Sequence, residues 1–237
     1  MDRFILRPNA VWIALCGLLQ LMFSGSTHAR AEGIAAVQSR PGGEGARRVL
    51  LVHGIYNTGA YMGNMQRMLE ARGWQVYAVS LKPNDASISF EAMAVQLNAF
   101  VAAHIPDGEK FDLVGFSMGG LVCRYYIQKM GGNSRVRRFV TLSTPNHGTL
   151  WAWLSGRVGV REMRPRSTFL EELNSNPGVL KPLDYTSIYT PLDLTIVPPS
   201  SSRMAVARNV VSWVPFHALM VWMPAPIREV ERALEGT

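Results

Sequence analysis

The sequence predicts an α/β fold: a doubly wound, mostly parallel sheet with helices on both faces. Three observations carry that expectation. Short, nearly unbroken apolar runs such as Arg48-Val49-Leu50-Leu51-Val52-His53 recur along the chain and read as strands buried on both faces. Stretches with apolar residues at helical spacing separate them, and that alternation implies parallel strands joined by crossover helices. The 237 residues, 48% of them hydrophobic, suit one such domain with an ample core.

Taken in order, the first strand is the run at Arg48–His53, and Gly54-Ile55-Tyr56-Asn57-Thr58-Gly59 is the loop after it. Tyr61 to Arg72 carries Met62, Met65, Met68 and Leu69 at helical spacing and is closed by Gly73. Gln75 to Val79 is the second strand. Ser87 to His104 is a second helix, with Phe90, Met93, Ala94, Leu97 and Val101 as its apolar stripe. Phe111 to Phe116 is the third strand, followed by a helix over Leu121 to Met130; Arg138 to Leu142 is the fourth. Ser143 to Leu183 breaks the rhythm, with a short helix expected at Ser167 to Leu173. The alternation resumes with strands at Thr186–Tyr189 and Asn209–Trp213 and a closing helix at Ile227–Leu234.

The junction between the third strand and its helix reads Gly115-Phe116-Ser117-Met118-Gly119. G-x-S-x-G between a strand and a helix places a serine on a sharp turn with its Oγ clear of the sheet, the arrangement of a nucleophilic serine. Gly115 and Gly119 lack a Cβ, so strand and helix can close on that turn. The helix start supplies free N–H groups and a positive dipole end suited to an oxyanion.

A nucleophilic serine needs a base, and the base needs an orienting carboxylate, in the order Ser, acid, His in this type of fold. Each belongs just past the carboxyl end of a strand. Of the five histidines, His28 lies near the N-terminus and His104 precedes Ser117. His53 and His147 sit at strand ends, His53 as an organiser of its loop. Only His217, in Val214-Pro215-Phe216-His217, follows every candidate acid, and it is assigned as the base. The acids between Ser117 and His217 are Glu162, Glu171, Glu172, Asp184 and Asp193. Asp184 precedes a strand, at the wrong edge, and the glutamates fall in the irregular segment or on a helix. Asp193 follows the strand at Thr186–Tyr189 and is favoured. The oxyanion donors are expected to be the backbone N–H groups of Met118 and Ile55. Tyr56, Trp151, Trp153 and Leu154 are expected to give the pocket apolar walls; the last three either line or cover its entrance or are core residues of an ordinary helix.

Leu51-Val52-His53-Gly54, Gly115 to Gly120, Ser187-Ile188-Tyr189-Thr190-Pro191-Leu192-Asp193 and Val214 to His217 together resemble bacterial secreted triacylglycerol lipases of the α/β-hydrolase fold. The resemblance covers about Val49 to the C-terminus. Thr144-Pro145-Asn146-His147-Gly148-Thr149 is similar to the family's loop after the strand that follows the nucleophile helix, which makes His147 a loop residue near the cleft. Met163 to Leu170 is similar to a segment in which a serine caps a short helix. The resemblance implies an α/β-hydrolase with a minimal or small cap that cleaves acylglycerol esters. A short-chain carboxylesterase, thioesterase or acyltransferase would use the same three residues. Some larger relatives hold a structural calcium, but its ligands find no match here, and no metal or other cofactor is expected.

The N-terminus reads differently. Arg3 and Arg7 precede the apolar segment Ala10–Phe23, and Ala29-Arg30-Ala31 is a small-residue cleavage site. This is a signal-peptide pattern over residues 1–31, followed by a flexible lead-in over 32–46 and the hydrolase domain over 47–237. Export to the periplasm or medium is therefore expected. Cleavage would remove Asp2, Arg3, Arg7 and Arg30, bringing the formal net charge of +7 down to +5. Lys/Arg runs with interleaved aromatics are missing, which argues against nucleic acid as a partner. The expected partners are a lipid or small-molecule ester and, transiently, a lipid interface, met by a monomer. Only Cys123 would remain, as a buried thiol.

Overall fold

The computed structural model describes residues 47–237, and the expectations for residues 1–46 lie outside the described residues. Six strands form one parallel sheet: β1 (Arg48–Val52), β2 (Gln75–Val79), β3 (Phe111–Phe116), β4 (Val136–Leu142), β5 (Asp184–Tyr189) and β6 (Arg208–Val211). Their order is β2-β1-β3-β4-β5-β6. The chain winds from β1 to β2 in one direction, then returns across β1 to β3 and continues in the other. A crevice opens at such a reversal, outside the carboxyl ends of β1 and β3. Leu51 pairs with Val114 and Val52 with Gly115, so those two ends are level.

The pleat divides the core into two layers. Leu50, Val52, Leu113 and Phe139 face α2 (Phe90–His104), α3 (Met118–Lys129) and α5 (Thr168–Ser175). Val49, Leu51, Val114, Val140 and Leu142 face α1 (Gly63–Glu70) and α6 (Pro224–Glu235). Alternate residues of largely buried strands thus supply both faces, which is why these runs are mostly apolar.

Several boundaries differ from the sequence reading, each for a local reason. The first helical segment is a 3-10 turn over Gly59–Met62 that passes into α1 at Gly63. α2 starts at Phe90 because Ser89, not Ser87, is its cap: the Ser89 hydroxyl accepts from Ala92 N–H at 3.2 Å. α3 starts directly after Ser117. α6 starts three residues earlier than expected, since Pro224 and Pro226 fall in its first turn, where a missing N–H costs nothing. The irregular segment after β4 holds a 3-10 turn over Leu150–Leu154, an unforeseen short helix α4 (Val158–Glu162), and α5, capped by Ser167 through Leu170 N–H at 3.3 Å.

Candidate active site

Ser117 sits between β3 and α3 at φ 53°, ψ −122°, a left-handed conformation that costs a non-glycine residue on the order of 1–3 kcal/mol. The turn is held there by Ser117 N–H donating to Leu142 O at 2.8 Å and by Gly120 N–H donating to Ser117 O at 3.1 Å. Glycine is required around it. A Cβ on Gly119 would lie 2.5 Å from the carbonyl oxygens of Val52 and His53, so α3 can rest on the end of β1 only without one. A Cβ on Gly54 would lie 3.1 Å from Ser117 Cβ, so the loop after β1 lies directly against the serine.

That contact brings the loop carrying Ile55 against the serine turn, whose next residue is Met118. Met118 opens α3, where first-turn N–H groups have no intrahelical acceptor. Ile55 is buried beside Gly54. Neither amide finds an acceptor among the described residues.

His53 fixes this loop. Its Nε2 accepts from Leu81 N–H at 2.9 Å, so the ring proton is on Nδ1, which donates to Gly54 O at 2.8 Å. Burial pushes the imidazole below its ordinary value of 6.5, and the Gly54 carbonyl acts in the opposite sense. The folded state therefore takes up this proton less readily than the unfolded one. The resulting stability is present above the ordinary histidine range and is lost as pH falls from there toward the depressed folded value. Thermal midpoints are expected to drop between about pH 7 and about pH 5, with a shallower drop in His53→Gln. His147, also held low by burial and by Arg124, keeps part of the slope in the variant. A slope identical in both proteins would remove His53 from the account.

Asp193 and His217 meet at the carboxyl ends of β5 and β6. Asp193 is 2% exposed and uses both carboxylate oxygens. Oδ1 accepts from Thr195 N–H at 2.9 Å and Ile196 N–H at 2.8 Å, while Oδ2 lies 2.7 Å from His217 Nδ1. Burial works to raise the carboxyl, but the imidazole and the two amides outweigh it and hold it below its ordinary range. The pair fixes the His217 proton on Nδ1 and leaves Nε2 as an acceptor. The His217 ring lies 4.8 Å from that of Phe116, the residue before Ser117, which brings the imidazole alongside the serine turn.

Other groups hold these loops, and the sequence reading gave them no role. Thr190 Oγ1 donates to Val214 O at 2.6 Å, tying the Asp193 loop to the His217 loop. Thr149 Oγ1 donates to Thr195 O at 2.9 Å and accepts from Val197 N–H at 3.0 Å. Arg124 is fully buried, and burial pushes its guanidinium down to about 10, so it stays charged at neutral pH. It donates to Asn146 Oδ1 at 3.3 Å, Leu173 O at 3.1 Å and Asn174 Oδ1 at 2.9 Å, locking the loop after β4 to α5. Hydrogen bonds between residues this far apart leave no periodic trace in a sequence. His147, partly exposed on that loop, donates its backbone N–H to Ser201 O at 3.1 Å.

The residues expected to wall the pocket fall in two places. Tyr56, at φ 60°, lies on the loop beside Gly54, and its hydroxyl accepts from Arg157 at the entry to α4. Trp151 is half-buried against the core and donates its indole N–H to Leu194 O at 2.8 Å. Leu154 is half-buried, and Trp153 is exposed to solvent.

A family model described as palmitoyl protein thioesterase matches residues 48–152. That span holds the loop after β1, Ser117 and the turn with Trp151, but neither Asp193 nor His217. Among solved structures, the mature Bacillus licheniformis lipase BlEst2 superposes with a TM-score of 0.68 at 16% identity, over 84% of this chain and 98% of that one. Aspergillus fumigatus lipase B gives 0.66 at 20% identity, over 81% of this chain and 53% of that one. A thioesterase domain from the curacin biosynthetic pathway gives 0.57 at 15% identity, over 86% of this chain and 100% of that one. The chain has the α/β-hydrolase fold.

Proposed function

We infer that the protein is a serine hydrolase that cleaves carboxylic esters through an acyl-serine intermediate, acting as a lipase on acylglycerols. The observation that carries this reading is the buried Asp193–His217 hydrogen bond, formed beside a serine held in a left-handed turn. In the reaction, His217 Nε2 takes the Ser117 proton as Oγ attacks the ester carbonyl. Asp193 holds the imidazole in the required tautomer and stabilises the imidazolium that forms. The Ile55 and Met118 amides receive the oxyanion. His217 then gives its proton to the departing alkoxide, and water, deprotonated by the same imidazole, releases the acid.

Long acyl chains are supported by the exposed apolar side chains around the site, Trp153, Leu194 and Trp213 among them. The likeness to lipases of the same fold points the same way. A second reading, thioester cleavage, is favoured by the match to the palmitoyl protein thioesterase model over residues 48–152, the span that carries Ser117.

A series of p-nitrophenyl esters from acetyl to palmitoyl, run beside palmitoyl thioester, separates these readings. Rates rising toward long-chain esters are expected. Activity confined to acetyl and butyryl esters would make the protein an esterase, and a thioester rate well above the matched ester would make it a thioesterase. No turnover of any of them, with no labelling of Ser117 by a fluorophosphonate, would refute the hydrolase reading.

A further inference from the structure

The geometry points to a docking face for anionic phospholipid surfaces, built from the segment after β4 and the loops after β5 and β6. Among the described residues, every large apolar side chain that is exposed, apart from Val95, lies at the end of β6 or in the segments after β4, β5 and β6. Leu150, Trp153, Leu194, Trp213 and Phe216 are the principal ones, with Trp153 59%, Leu194 65% and Trp213 72% exposed. Parallel strands deliver all of these segments to one edge of the sheet. Two of them are fastened together, by Leu150 N–H to Val197 O at 2.9 Å and by the Trp151 indole to Leu194 O at 2.8 Å. An apolar rim of this extent on one edge marks an interaction surface.

The charge beside the rim names the partner. Residues 150–168 contain four arginines and one acid, Glu162. An open cleft of about 460 Å³ next to Trp153 is lined by Arg161, Arg164 and Arg166. Arg164 is committed to the protein: it donates to Ala152 O at 3.2 Å and Ser155 O at 3.1 Å and lies 4.6 Å over the Trp153 ring, so it holds the exposed indole in place. Arg161 and Arg166 are exposed, and their side chains have no ion-pair or hydrogen-bond partner among the described residues. The one carboxylate at the cleft, Glu162, accepts from Phe90 N–H at 2.7 Å at the start of α2.

Guanidinium groups match phosphate oxygens, tryptophan favours the headgroup level, and leucine and phenylalanine favour the acyl region below it. A soluble phosphate would use the cleft and leave the rim without a partner. An extended peptide would need a groove, whereas this rim spreads over loops from three strands. The inference deepens the long-chain ester reading, because it names the surface from which the acyl chain would be drawn.

Co-sedimentation of the full chain with phosphatidylcholine vesicles, with and without phosphatidylglycerol, tests it. Binding is expected to be at least about tenfold stronger with phosphatidylglycerol and to weaken as salt is raised. The Arg161→Gln/Arg166→Gln double variant should bind these vesicles on the order of thirtyfold more weakly. Arg161→Lys/Arg166→Lys should retain most of the binding, and both variants should hydrolyse p-nitrophenyl acetate within about twofold of the parent, which shows that they fold. The apolar segment at residues 10–23 is common to all these proteins, so the differences between them report the patch. Equal binding to both vesicles, no loss in the glutamine variant, or displacement by inorganic phosphate at matched ionic strength would overturn the inference. Vesicle binding needs no turnover, so Ser117→Ala should bind as the parent does. Binding without hydrolysis would refute the ester reading alone, and hydrolysis without anionic preference would refute the docking face alone.

Discussion

Replacing Ser117 with alanine is expected to lower ester hydrolysis by about 10⁴–10⁶-fold in kcat, leaving only the slow reaction that amide donors and substrate positioning support by themselves. The size of the loss follows from the serine's place in the turn. Its Oγ is the only atom the substitution removes, and alanine occupies the same left-handed conformation at a similar cost. The contacts that set the turn, Ser117 N–H to Leu142 O and Gly120 N–H to Ser117 O, are made by backbone and survive. Stability should therefore stay within about 1 kcal/mol of the parent, measured by denaturant unfolding, while activity collapses. A variant that kept more than about a hundredth of the parent rate with an intact fold would show that another nucleophile acts.

Asp193→Asn is expected to cost about 10⁴-fold in kcat with little change in KM. The reason lies in which oxygen does what. Oδ1 receives two backbone N–H groups, from Thr195 and Ile196, and an amide nitrogen placed there would face two donors. The asparagine carbonyl must take that position, which turns its NH₂ toward His217 Nδ1. A donor facing Nδ1 makes that nitrogen the acceptor and moves the ring proton to Nε2, where it blocks proton uptake from Ser117. The loop itself keeps its amide acceptor and the Thr190–Val214 tie, so the fold is preserved. A loss of less than about tenfold would mean that Asp193 does not set the tautomer.

The strands and the serine turn were legible because each is a local signal. β1 and β3 are buried on both faces and therefore nearly all apolar, with Arg48 and Asp112 the exceptions, and Ser117 is flanked by glycines that the close approach of α3 to β1 and β3 demands. Asp193 could be singled out by its place after β5 and His217 by being the last histidine, both consequences of chain order. What was not legible is held by contacts across the chain. Nothing local marks Arg124, and only the fold brings Asn146 and Asn174 to it. Thr190 and Thr149 are short side chains in loops until β5 and β6 bring their acceptors near. Helix α4 went unseen because Val158–Glu162 is five residues long and contains a glycine, too short for a periodicity to register.

The site draws on both ends of the described chain: the loop after β1 at Gly54, the turn at Ser117, the loop at Asp193, and His217 beyond β6. It therefore behaves as a coincidence detector. No fragment ending before the last twenty or so residues carries the imidazole, and a fragment starting after the loop that follows β1 lacks Ile55, one of the two proposed oxyanion donors. Two such halves, each silent alone, should regain turnover only on reassociating across the sheet, so hydrolysis becomes a reporter of complete assembly rather than of any one part.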